Sequence, residues 1–125
     1  NAIKVNHRLG QELEKMFDQY DVLLSPVLAL PPVKIGTIDM NTNDMKTYIE
    51  RLTEYSPFTG IFNQSGQPSM SVPLFRTKDN LPVGSMFSAS FGNENLLFSL
   101  AGQLEKAQPW AESLNDMRKK LLETI

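Results

Sequence analysis

The sequence contains no cysteine. That excludes disulfides, thiolate catalysis and cysteine-type zinc sites together, and it fits a cytoplasmic protein. Histidine is almost missing too. His7 is the only one, so a nucleophile that needs an imidazole base has a single candidate. Charge of one sign is equally scarce: the formal net charge is −2. Without a basic footprint, nucleic acid is not expected as a partner. No apolar run approaches the roughly 20 residues that a membrane helix needs. The apolar stretch from Val22 to Val33 is broken by Pro26, Pro31 and Pro32. Asn1-Ala2-Ile3-Lys4 is not followed by the apolar region of a signal peptide. Methionine does not open the chain. Asn1-Ala2 reads as a cloning remnant, Ile3 as an internal residue of something longer, and residues 3–125 as one domain.

What is present is ordinary for a folded domain: 125 residues, 41% apolar and 21% charged. Val5, Leu9, Leu13, Met16, Phe17 and Tyr20 recur at three- and four-residue steps, which predicts an amphipathic helix over about 4–19. Val22-Leu23-Leu24 then reads as a short buried strand, stopped by Pro26. Residues 26–41 are expected to be a long loop, extended before each proline. Asn43 or Asp44 can cap a helix from Met45 to Leu52. Ser56-Pro57 predicts the start of another short helix, with serine as cap and proline at the first helical position. Gly66 and Pro68 turn the chain into a strand in which Met70, Val72 and Leu74 alternate with polar positions. Pro73 places that strand near a sheet edge. A turn at Lys78-Asp79-Asn80 leads to a returning strand from Val83 to Ala89. Gly92-Asn93 caps a helix with Leu96, Leu97, Leu100, Ala101 and Leu104 on one face, closed by Pro109. A last amphipathic helix carries Trp110, Leu114, Met117, Leu121 and Leu122. The expected fold class is α/β: a layered mixed sheet of about three strands, including an antiparallel hairpin, with four to five helices.

The residues by themselves give no complete catalytic constellation. A nucleophile elbow needs glycine two before and two after its serine. Around Ser65 the chain reads Asn63-Gln64-Ser65-Gly66-Gln67, with neither glycine in place and a helix before the strand. His7 lies between charged and polar residues and reads as a solvated helix histidine. Asp39, Asn41, Asn43 and Glu50 match positions one, three, five and twelve of a calcium loop. Asp44 replaces its glycine, however, and Lys46 its apolar eighth position. Asp79 and Glu94 are most simply a turn aspartate and a first-turn glutamate. No metal site and no cofactor site is expected.

A resemblance supplies more. SPFTGIFNQSGQPSMSVPL, then DNLPVGSMF and FGNENLLFSLAGQLEKAQPW, with YDVLLSPVLALPPVKIG upstream, resemble the C-terminal region of the amidase signature family. The likeness runs from about Phe17 to Trp110. Within the family it is similar to the amidases of the 6-aminohexanoate-cyclic-dimer hydrolase type. It implies a cofactor-free hydrolase of small amides, using a Ser, cis-Ser, Lys triad and a backbone oxyanion hole. In the family the triad lies N-terminal to this region. No Gly-Gly-Ser-Ser run occurs here, so no catalytic residue is assigned to this chain, and it is expected to be inactive alone. The missing N-terminal part would be its partner, and exposed apolar surface would favour self-association. Phe62, Asn63, Gly66, Gln67 and Pro68 match the family's Phe-Asn-x-x-Gly-x-Pro pattern and are expected to support the wall of the substrate pocket. Two positions depart. Met86 stands where the family usually has glutamine, and Asn93 where it often has aspartate, with the capping role retained. Two other readings stay open: a stand-alone interaction or binding module on an amidase-like scaffold, and a calcium-responsive domain.

Overall fold

The computed structural model of the chain describes residues 1–123. Helix α1 runs from Ala2 to Phe17. It begins two positions before the expected start, with Ala2 already helical. Strand β1, Leu23–Pro26, follows a short turn. It pairs antiparallel with a later strand through Leu23↔Ser88 and Leu24↔Phe87. Expected to be buried, β1 is instead an edge strand, and Leu24 is 63% exposed. Pairing on one side only leaves its other edge open among the described residues. The strand ends at Pro26, as expected, with the proline as its last residue.

The loop that follows has no regular structure, and α2, Met45–Tyr55, holds it down. Ala29 N–H donates to Tyr55 O (3.0 Å), and Arg51 Nη1 donates to Thr37 O (3.0 Å). Asp44 is the α2 cap. Its carboxylate accepts from the Thr47 hydroxyl at 2.6 Å and from Thr47 N–H at 3.1 Å. Those bonds, the hydroxyl first, hold the Asp44 carboxyl below the ordinary aspartate range.

Helix α3, Gly60–Ser65, starts later than Ser56-Pro57 predicts, with Thr59 at its N-cap. Ser56 is consumed instead in closing α2, its N–H donating to Leu52 O (2.9 Å). Its hydroxyl shares a hydrogen bond with the Thr59 hydroxyl (3.1 Å). Two competing roles for one serine push the helix start three residues on.

Strands β2, Ser69–Arg76, and β3, Pro82–Ser88, form the hairpin, and the sheet order is β1-β3-β2 with both pairings antiparallel. Asn80 supplies the hairpin's left-handed residue (φ 64°). The register slips between Val72 and Phe75, where Pro73 cannot donate to the ladder. Pro73 therefore lies on an edge strand, as the sequence indicates. Helix α4, Glu94–Ala107, packs its leucine face on β2 and β3. The core there is Val72, Phe87, Ala89 and Leu97, flanked by Met70, Leu100 and Trp110. Helix α5, Ala111–Leu122, follows, and Arg76 hydrogen-bonds to Ser113 on it. Among the described residues, five helices and three strands thus make the expected layered α/β arrangement.

Candidate functional site

The turn between α3 and β2 is where the sequence concentrates unusual residues. Gly66 ends α3 in the left-handed region (φ 87°), its N–H returning to Phe62 O at 2.9 Å. A side chain at that φ is strained, which is why glycine suits the position. The turn then carries Gln67 inward. Gln67 is only 5% exposed. Its Nε2 donates to Gly10 O (3.2 Å) and to Glu14 Oε1 (3.0 Å), both on α1. Pro68 O accepts from Ala89 N–H (3.1 Å), tying the turn to the end of β3.

Glu14 completes the lock. Its Oε1 accepts a second bond from Phe91 N–H (2.8 Å), so one carboxylate oxygen joins α1 to the α3–β2 turn and to the β3–α4 turn. Gly10 eases the close approach, since a Cβ there would lie 3.3 Å from Ser65 O, a tight contact. Gln67 Oε1 has no hydrogen-bond partner among the described residues. Its amide orientation is fixed, because both acceptors demand the NH2 end.

Beside this lock lies an open groove of about 690 Å³ between α1 and the turn. Its lining includes His7, Glu14, Asp18, Ser65, Gln67 and Phe91.

The five residues of the sequence motif take different places. Gln67 lines the groove, and Gly66 and Pro68 shape the turn that presents it. Phe62 is buried at 6% exposure. Asn63 is exposed on α3 and does not line the groove.

Ser65 and His7 share the groove, but the Ser65 hydroxyl donates to Ile61 O (2.8 Å) within its own helix. Asp39 accepts from Asn41 N–H (2.9 Å) in a local turn, and Asp44 is engaged with Thr47. Met86 is 4% exposed in the interior, an apolar packing position. Asn93 stands at the N-cap of α4 but makes no side-chain capping bond there. The preceding Gly92 at φ 77° makes the turn.

Sequence reasoning missed Glu14 and Phe91. A signal for Glu14 existed, since it stands one helical turn after Gly10, beside the apolar stripe of α1. Phe91 is recruited through its backbone N–H, which its identity does not advertise.

The amidase family model matches residues 1–98. A Mycobacterium leprae protein that carries the name amidase AmiC is 40% identical over 110 residues, 88% of this chain and 23% of that protein. The 6-aminohexanoate-cyclic-dimer hydrolase of Pseudomonas sp. (strain NK87) is 44% identical over 109 residues, 80% of this chain and 22% of that enzyme. A solved structure of a 6-aminohexanoate cyclic dimer hydrolase superposes with a TM-score of 0.68 at 30% identity, covering 81% of this chain and 22% of the solved one. The chain thus spans less than a quarter of the length of the relatives it matches. Among the described residues no helix is long and apolar enough to cross a membrane.

Proposed function

This chain belongs to the amidase family, and from that premise we propose that it is one portion of an amide-bond hydrolase. The observation that carries the reading is the family match, which extends over most of the chain while the chain spans only 22–23% of its relatives. On this reading the Ser, cis-Ser, Lys chemistry resides in polypeptide outside these residues, and the chain alone does not turn over amides. Its contribution is scaffold. The Gly66-Gln67-Pro68 turn, held by Glu14, supports the wall of a pocket for a small amide, with Phe62 and Asn63 on the helix behind it. No cofactor takes part.

Exposed large side chains support the same reading. Phe91 is 73% exposed and Phe98 76%, more apolar surface than a free-standing domain gains from displaying. Joined to the remaining polypeptide, that surface is covered; in the isolated chain it drives self-association.

The test is hydrolysis of simple aryl amides. The 125-residue chain should show no turnover. Turnover that disappears with Ser65→Ala would place a nucleophile inside these residues and sink the proposal, whereas turnover surviving that change marks a contaminant.

A further inference from the structure

We draw no further inference here: the strongest candidate, the open edge of strand β1 with its exposed Leu24 and the apolar hollow of Val27, Leu30, Pro32 and Pro82 beside it, is an unpartnered apolar surface, and nothing in the structure shows what covers it.

Discussion

Gln67→Glu exchanges one NH2 group for an oxygen and changes almost no volume, which makes it a sharp probe of the α1 lock. In the native chain the NH2 group donates to Gly10 O at 3.2 Å and to Glu14 Oε1 at 3.0 Å. Replacing it with a carboxylate oxygen removes both bonds, a neutral one of about 1 kcal/mol and a charged one of about 2 kcal/mol. It also sets a second negative charge against Glu14 in a site only 5% exposed. A total loss of about 3–5 kcal/mol at neutral pH follows. In urea that lowers the unfolding midpoint by about 2 M. The sign of the pH dependence is fixed by the same geometry. Burial and the neighbouring Glu14 raise the new carboxyl's folded pKa above its unfolded value, near 4.3 for a glutamate. The penalty is therefore full above that raised pKa and fades as pH falls toward 4, where the carboxyl is protonated in both states and can donate to Glu14 again. Gln67→Leu is the control. It adds no charge and discards the unpaired Oε1 together with the donors, so its cost should be smaller at pH 7 and vary less with pH than that of Gln67→Glu. The assay is urea denaturation of all three chains at pH 7 and pH 4. A Gln67→Glu chain within about 0.5 kcal/mol of the original at pH 7 would refute the reasoning, since the two bonds alone exceed that. So would a gap that stays constant between the two pH values.

Gly66→Ala meets only ordinary contact, 3.6 Å to the Phe91 ring, so its cost is the backbone's; about 1–2 kcal/mol of lost stability is expected at φ 87°. Chemical denaturation checks it, and a neutral result would mean the turn relaxes. Gly84→Ala is limited by space instead. Its Cβ would lie 2.7 Å from Ser71 Oγ and 2.8 Å from Val27 Cγ2. About 1–3 kcal/mol of overpacking should appear as a lower Tm, and an unchanged Tm would show that Val27 yields. Asp44 links helix α2 to pH. Its carboxyl is held below the ordinary aspartate range, chiefly by the Thr47 hydroxyl, so its stabilisation is present above that range and disappears as pH falls through the lowered value. Circular dichroism should show helicity lost on acidification, and Asp44→Ala should remove that transition; an identical acid profile would exclude the cap as its origin.

The sequence determined much of the local structure because the relevant forces act over a few residues. Periodicity in Val5, Leu9, Leu13 and Phe17 is enough to specify α1. Pro73 cannot serve an interior ladder, and glycine at position 66 announces a left-handed turn. Motif order was equally legible, and it led to the amidase family. Where two local rules compete, the sequence is ambiguous. Ser56 can open one helix or close another, and Leu24 reads as buried although its strand stands at an edge.

Only the tertiary structure decided the site. Glu14 stands 53 positions from Gln67 and 77 from Phe91, yet its one carboxylate oxygen joins both to α1. No periodicity encodes such a meeting, because it depends on how α1 docks against the two turns. Hydrogen bonds reach about 3 Å, so a small change in that docking would unmake the lock while leaving every local signal intact. The sequence settled which segments are helix, turn and strand and which family they belong to. The packing of α1 settled which polar groups face one another, and among the described residues it left Gln67 Oε1 without a partner.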